Sequence, residues 1–128
     1  MTPAQPCVFC SFPESWIVDG DDFGVVVRDR YPVSPGHTLV IPRRHVESLF
    51  LVTEHELASI ARLLNRAQSA LRLQYAPAAY NIGINDGLAA GQTVQHLHIH
   101  LIPRYIGDCD DPRGGVRWVL PAKAKYWS

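Results

Sequence analysis

The stretch His96-Leu97-His98-Ile99-His100-Leu101-Ile102 decides which fold we expect of this chain. Successive side chains of an extended strand point to opposite faces of a sheet. The three histidines are therefore expected to line one face, while the apolar residues between them face a core. Imidazole is the one side chain whose ordinary pKa lies near neutrality, so it can act as a nucleophile, a proton carrier or a metal ligand. Three imidazoles on one face indicate a chemical site rather than a solvated surface.

Length and composition limit the class of protein. The chain has 128 residues, of which 12 are acidic, 12 are basic and 47% are hydrophobic. This length suits one core, so we expect a single domain over residues 1–128. The balanced charge argues against a nucleic-acid polymer as a partner. No apolar run approaches the roughly 20 residues of a membrane span, and residues 1–6 lack the features of a secretory signal, so a cytoplasmic protein without a membrane partner is expected.

The remaining pattern predicts short strands and one long helix. Apolar and β-branched runs between turn residues predict strands at 16–19, 23–28, 37–41 and 79–85, with the histidine strand as the fifth. Thr53 and Glu56 match a capping box, so a helix is expected to begin there and to run to about Leu73. Its expected buried stripe consists of Leu57, Ile60, Ala61, Leu64, Ala67 and Leu71. One long helix beside strands joined by short turns favours an α+β domain with a mainly antiparallel sheet.

The turn Gly91-Gln92-Thr93, directly before the histidine stretch, completes a candidate phosphate site. Successive amides in a glycine turn can form a concave anion site, and Gln92 and Thr93 add neutral donors. A histidine that attacks phosphorus needs one free ring nitrogen, while its other nitrogen donates to a fixed acceptor. His98, the central histidine, is best placed for this role. Spacing alone supports a hydrolytic zinc centre built from the three imidazoles about equally well.

The three cysteines separate into a pair and a single residue. Cys7 and Cys10 form a Cys-x-x-Cys motif, which in a reducing compartment predicts a metal knuckle or a redox pair more readily than a structural disulfide. No strand-helix pattern follows Cys10, which argues against an oxidoreductase motif. Cys109 lies far away in a polar stretch and is expected to be a free thiol.

Several motifs occur in an order that resembles bacterial members of the histidine-triad (HIT) superfamily of nucleotide hydrolases and transferases. These motifs are Cys7-x-x-Cys10, residues 34–45 (SPGHTLVIPRRH), Asn85-Asp86-Gly87 and the histidine stretch. The resemblance covers about residues 7–104, and residues 105–128 are similar to the C-terminal extensions of some bacterial members. It implies a HIT-like α+β fold with about five mainly antiparallel strands, one long helix and a short helix.

The resemblance also implies which residues are catalytic. The middle histidine of the triad is the nucleophile of the family, and it corresponds to His98. His100 would contact the α-phosphate region of a nucleotide, and His37 would support the triad from a neighbouring strand. The implied reaction is attack on the α-phosphate, formation of a nucleotidyl-histidine, and release of a nucleoside monophosphate by water.

The substrate-binding residues are implied in the same way. Asp29 would take the ribose hydroxyls, while Asn85, Gln92 and Thr93 would bind the phosphate and the leaving group. The following Arg30-Tyr31 departs from the apolar residue common in the family, which affects how the base would pack. The first expectation for the substrate is a dinucleoside polyphosphate of the Ap4A type. A purine nucleoside phosphoramidase and a nucleotide-binding scaffold with incidental hydrolysis are the alternatives.

The resemblance finally implies a metal site and an oligomer. Cys7, Cys10, His45 and His96 match the ligands of a structural zinc, because two cysteines and two histidines make a closed tetrahedral set. His98 would then remain free to attack phosphorus. We expect no organic cofactor, and the resemblance implies a homodimer.

Overall fold

The computed structural model describes residues 7–128, so the expectation about a signal in residues 1–6 lies outside the described residues. Its strands and helices are β1 Ile17–Gly20, β2 Gly24–Arg28, β3 Thr38–Pro42, α1 Glu54–Tyr75, β4 Ala79–Gly83, β5 Ile99–Arg104 and α2 Pro121–Ala124. The sheet order is β1-β2-β3-β5-β4, and every neighbouring pair is antiparallel. The expected α+β class is confirmed. No helix within residues 7–128 combines the length and the apolar character that a membrane crossing requires.

The histidine stretch is only partly a strand. β5 begins at Ile99, so the prediction that three histidines line one strand face is wrong for the first two. The chain before β5 pairs instead with the segment after β3, because the Leu97 N–H donates to the Val46 carbonyl at 2.7 Å. His100 is the triad histidine that lies within β5, opposite Leu39 of β3.

Hydrophobic clusters cover both faces of the sheet. α1 packs on the face that carries Val26, Val40, Ile99 and Leu101. The opposite face carries Val25, Val27, Leu39 and Ile41, and it is covered by Phe9, Phe12 and Trp16 of the N-terminal segment. Residues directly opposite in an antiparallel pair point to the same face. His100 therefore shares the face that the N-terminal segment covers.

The predicted start of α1 is confirmed, but its predicted buried stripe is partly wrong. Thr53 caps the helix and forms the expected capping box with Glu56. Of the predicted stripe, Ile60, Ala67 and Leu71 are buried, whereas Leu57, Ala61 and Leu64 are not. Glu56, Ser59 and Leu63 lie on the buried face instead. The two polar residues are accommodated because Glu56 binds Arg44 and the Ser59 hydroxyl donates to Asp21 at 2.7 Å.

Candidate active site

His98 is held in the tautomer that a nucleophile requires. Its side chain is buried, and its Nδ1 lies 2.8 Å from the His96 carbonyl oxygen. A carbonyl oxygen only accepts hydrogen bonds, so Nδ1 carries the hydrogen and donates it. The lone pair of the neutral ring is therefore on Nε2. This is the free nitrogen that attack on phosphorus needs.

His37 and His100 form a chain of hydrogen bonds that fixes both of their tautomers. The Val33 N–H donates to His37 Nδ1 at 3.1 Å, so the hydrogen of a neutral His37 is on Nε2. That Nε2–H donates to His100 Nδ1 at 2.9 Å, which leaves the hydrogen of His100 on its own Nε2. Burial lowers the pKa of both histidines, which favours the neutral forms that this chain contains. His100 therefore presents a hydrogen-bond donor.

Asp29 adds a carboxylate to the two histidines. Its Oδ2 lies 3.5 Å from His37 Nε2 and 4.0 Å from His100 Nδ1, and its Oδ1 accepts from the Tyr31 N–H at 2.8 Å. These three side chains bring their ligand atoms within 4.8 Å of one another, as a cation site would. A cation on His37 Nε2 would displace the only ring hydrogen of that histidine, because Nδ1 already accepts. The cluster is therefore a hydrogen-bonded network rather than a metal centre.

A second cluster contains the side chains implied as zinc ligands. Cys7, Cys10, His45 and His96 have ligand atoms within 4.8 Å of one another. His96 Nε2 lies 2.7 Å from the Pro42 carbonyl and donates to it, so its lone pair is on Nδ1. That Nδ1 lies 3.4 Å from Cys7 Sγ and 3.5 Å from Cys10 Sγ, while His45 Nδ1 lies 3.1 Å from Cys10 Sγ. The four side chains fit a tetrahedral metal ion.

His96 and His98 keep different ring nitrogens free. His96 directs its free nitrogen to the cysteines, whereas the free nitrogen of His98 belongs to neither ligand cluster. Within residues 7–128, the three triad histidines do not bring their ligand atoms together as one cation site. The geometry therefore does not support the alternative of a catalytic zinc on His96, His98 and His100.

The loop before the triad differs from the expectation in one respect. Gln92 is buried, its Oε1 accepts from the Gly87 N–H at 2.8 Å, and its Nε2 donates to the carbonyls of Glu47 and Val94. Its side chain therefore holds the loop and has no amide hydrogen left for a phosphate. Thr93 and Asn85 are exposed, so their hydroxyl and amide groups are accessible to a ligand. A phosphate contact by any of these three residues stays a prediction.

Comparison with known proteins identifies the family. The HIT domain model matches residues 13–107. This chain belongs to the HIT family. A bis(5'-nucleosyl)-tetraphosphatase (asymmetrical) of Schizosaccharomyces pombe is 44% identical over 77 residues, which are 60% of this chain and 42% of that protein.

Two further comparisons extend over more of this HIT protein. An AP-4-A phosphorylase of Mycobacterium tuberculosis is 33% identical over 115 residues, which are 85% of this chain and 58% of that protein. The chain thus spans less than two thirds of either named enzyme. A Zn-bound histidine triad family protein from Mycobacterium smegmatis has a TM-score of 0.72 at 33% identity, covering 92% of this chain and 93% of that one.

Two cavities lie beside the histidines of this HIT protein. The larger measures about 850 Å³, and its walls include His37, His100, Asn85 and side chains of the C-terminal segment 111–119. The smaller measures about 390 Å³ and lies at Asp29. The two cavities share no lining residue. His37 and His100 line the larger cavity, whereas His98 lines neither of the two.

Two aromatic residues that were not predicted as part of the site, Phe9 and Trp16, lie beside it. Trp16 lines the smaller cavity, and the Arg30 guanidinium lies over its ring at 4.0 Å from the centroid. Arg30 thus presents a flat cationic surface beside Asp29. Phe9 packs edge-on against His98, with ring centroids 4.9 Å apart. Trp16 was expected in a strand at 16–19 but ends a 3-10 helix that spans Glu14–Trp16, and Phe9 lies in a turn. Neither contact with the site followed from a periodic pattern.

Proposed function

We propose that this HIT protein is a nucleotide hydrolase or transferase that acts at the α-phosphate through a nucleotidyl-His98 intermediate. The observation that carries this proposal is the tautomer of His98, whose Nε2 is a free base while Nδ1 is held by the His96 carbonyl. The His98 and His100 ring centroids are 5.2 Å apart, so a nucleophile and a fixed hydrogen-bond donor are neighbours. Phosphoryl transfer depends mainly on such positioning and charge stabilisation.

The proposed reaction has two steps. In the first, His98 Nε2 forms a bond to the α-phosphorus, and the bond from phosphorus to the leaving group breaks with its electron pair on the leaving atom. In the second, a water oxygen bonds to phosphorus, the bond to His98 breaks, and a nucleoside monophosphate is released. Water supplies the incoming oxygen and, in total, the proton that the leaving group takes up, whether that group is a phosphate chain or an amine. The His100 Nε2–H donates to the phosphate oxygens as negative charge develops on them.

We assign the two ends of the proposed substrate to the two cavities. Asp29 lines the smaller cavity and can accept hydrogen bonds from ribose hydroxyls, and Trp16 with Arg30 offers a surface for the base. Asn85 and His100 line the larger cavity, which would then receive the leaving group. Base, α-phosphate and leaving group would follow one another from the smaller to the larger cavity.

A dinucleoside polyphosphate of the Ap4A type is the first candidate substrate. It is supported by the names of the two relatives, a bis(5'-nucleosyl)-tetraphosphatase and an AP-4-A phosphorylase. One name denotes hydrolysis and the other phosphorolysis, so the two names imply different acceptors for the nucleotidyl group. Our proposal takes water as the acceptor. A nucleotide-binding scaffold with incidental hydrolysis would use the same side chains at low turnover.

The larger cavity favours a second candidate, a nucleoside phosphoramidate with an apolar amine. Arg104 is the only cationic side chain among the described residues that line it, and both Asp108 oxygens accept from its guanidinium at 2.8 Å. Val116, Trp118 and Val119 contribute exposed apolar surface to the same wall. A polyphosphate chain would place several negative charges where the one cation is already paired, whereas an apolar amine would bury apolar surface.

We further propose that Cys7, Cys10, His45 and His96 bind a structural zinc ion. The Zn-bound Mycobacterium smegmatis relative supports this choice of metal. When bound, zinc would cross-link the N-terminal segment to the sheet, and four protein ligands would leave no open position for catalysis. His98 is not a member of this ligand set.

The overall organisation is also part of the proposal. We propose one HIT domain over residues 1–128, with a core at about 7–104 and an extension at 105–128, and we propose a homodimer. β4 is an edge strand of the sheet, and its Ile82 is 53% exposed. An unpaired edge with an exposed apolar residue is suited to pairing with a second copy.

The central test is to trap the intermediate. Wild-type protein mixed with an α-labelled nucleotide substrate and quenched at alkaline pH should carry label on His98, identified by peptide mass spectrometry. His98→Ala should carry none and should lose turnover, yet should still bind nucleoside monophosphate in calorimetry. His55→Ala is the matched control, since His55 is exposed on α1 and stacks only on Phe23. Full turnover by His98→Ala would refute the mechanism.

A further inference from the structure

Phe9 lies in the metal-binding turn and also contacts the nucleophile. It is one of the two residues between Cys7 and Cys10, whose backbones are joined by a hydrogen bond from Cys10 N–H to the Cys7 carbonyl at 3.1 Å. The Phe9 ring meets His98 at a centroid distance of 4.9 Å and an interplanar angle of 67°. It meets His96 at 6.2 Å and 84°. One side chain therefore joins the ligand cluster to the reacting imidazole.

The His98 ring needs such a contact to keep its orientation. Its Nδ1–H···O bond to the His96 carbonyl restrains the ring at one nitrogen, and no second hydrogen bond of this ring is found among residues 7–128. An edge-to-face aromatic contact adds a further restraint, because the two rings prefer a defined angle. The position of Nε2 relative to phosphorus is the quantity on which the transfer rate depends.

The position of Phe9 depends in turn on the ligand cluster. Phe9 also packs against Phe12 at a centroid distance of 5.7 Å, and both residues lie in the hydrophobic cluster beneath the N-terminal segment. That segment is tied to the rest of the fold through the sulfur atoms of Cys7 and Cys10, which lie 3.1–3.5 Å from His45 and His96. A metal ion bound by these four side chains would hold the turn, and with it the Phe9 ring, against His98.

We propose that Phe9 is a positioning residue that couples occupancy of the metal cluster to the orientation of the His98 nucleophile. The metal then controls the rate of nucleotidyl transfer without touching the substrate. This inference rests on the proposed function for its kinetic consequence, but the coupling itself is a property of the folded protein. It assigns the Cys-x-x-Cys turn a role in activity as well as in stability.

The kinetic test compares substitutions of two phenylalanines, Phe9 and Phe23, each of which contacts a histidine ring. Phe9→Ala should lower kcat about two- to tenfold with KM nearly unchanged, the range expected if one edge-to-face contact is lost. Phe9→Tyr keeps the ring and should restore the rate. Phe23→Ala is the matched control, because Phe23 also contacts a histidine ring, that of His55, which is exposed and belongs to neither ligand cluster. Equal kcat for Phe9→Ala and wild type would overturn the proposal.

A structural readout separates this inference from the proposed function. In NMR spectra of zinc-loaded protein, the His98 ring protons should show a ring-current shift that is lost in Phe9→Ala and after chelation, but is kept in Phe23→Ala. If the His98 ring-proton signals are the same in wild type, in Phe9→Ala and after chelation, the coupling is refuted even when the enzyme is active. If the His98 shift behaves as expected but wild-type protein forms no nucleotidyl-enzyme, the proposed function fails and the coupling stands.

Discussion

Adding a positive charge to the larger cavity should change which leaving group this HIT protein accepts. Val119 lines that cavity and is 78% exposed, so Val119→Lys should fold normally and place an ammonium group at its wall. If this charge lies about 7 Å from two phosphate charges, at an effective dielectric constant of about 60, the attraction is roughly 1.5 kcal/mol. That corresponds to about a tenfold gain in kcat/KM for diadenosine tetraphosphate at low ionic strength.

The assay is side-by-side turnover of diadenosine tetraphosphate and an N-benzyl adenosine phosphoramidate. The lysine should favour the first substrate and weaken the second, and the gain should shrink as salt screens the added charge. Leu73→Lys makes the same change of net charge at an exposed position of α1, which packs on the opposite face of the sheet, and serves as the control. If the ratio of the two kcat/KM values is the same in wild type and Val119→Lys, the larger cavity does not receive the leaving group.

Three further predictions concern stability and the metal. Leu63→Ala, at a buried position, should lower the free energy of unfolding by about 2–5 kcal/mol in urea titrations. Leu57→Ala, at a position that is 51% exposed, should lower it by less than about 1 kcal/mol. Equal losses would contradict the assignment of Leu63 to the buried face of α1. Hydrogen bonds from Arg44 lower the pKa of Glu56, so its charge stabilises the fold above the ordinary carboxyl pKa and this contribution is lost as the pH falls. Glu56→Gln should therefore cost about 2 kcal/mol at neutral pH and much less below about pH 4, and a pH-independent difference would count against the ion pair of Glu56 with Arg44. Cys10→Ser should lower both the measured zinc content and the melting temperature, because metal binding contributes to folding stability. Cys109→Ser, the control, should change neither. An unchanged zinc content in Cys10→Ser would show that Cys10 is not a ligand.

The parts of the fold that were predictable depend on neighbours in sequence. The capping box at Thr53 involves residues three positions apart, so the start of α1 follows from local hydrogen bonds alone. The buried face of the same helix was mispredicted because hydropathy treats Glu56 as a surface residue. Its burial depends on Arg44, which comes from a different segment of the chain.

The candidate site also has parts that sequence motifs predicted and parts that depend on tertiary contacts. His98 was singled out from the contiguous histidine stretch, whereas the metal-ligand set, which includes the distant His45, was implied only by the resemblance to the HIT family. Gln92 was assigned to a phosphate because amides are good donors, but its own donors bind carbonyls of Glu47 and Val94. The tail side chains of the larger cavity, such as Trp118, carry no motif that connects them with His100.

The sequence by itself determined which residues can do the chemistry, since the spacing of the imidazoles and thiols limits what they can form together. Only the tertiary structure decided which ring nitrogen each histidine keeps free. A neutral imidazole places its one hydrogen according to the acceptor or donor beside it, and for His96 that acceptor is the Pro42 carbonyl, 54 positions away in the chain. For His100 the partner is His37, 63 positions away. Which nitrogen of each histidine can accept or donate is thus set by contacts that exist only after folding.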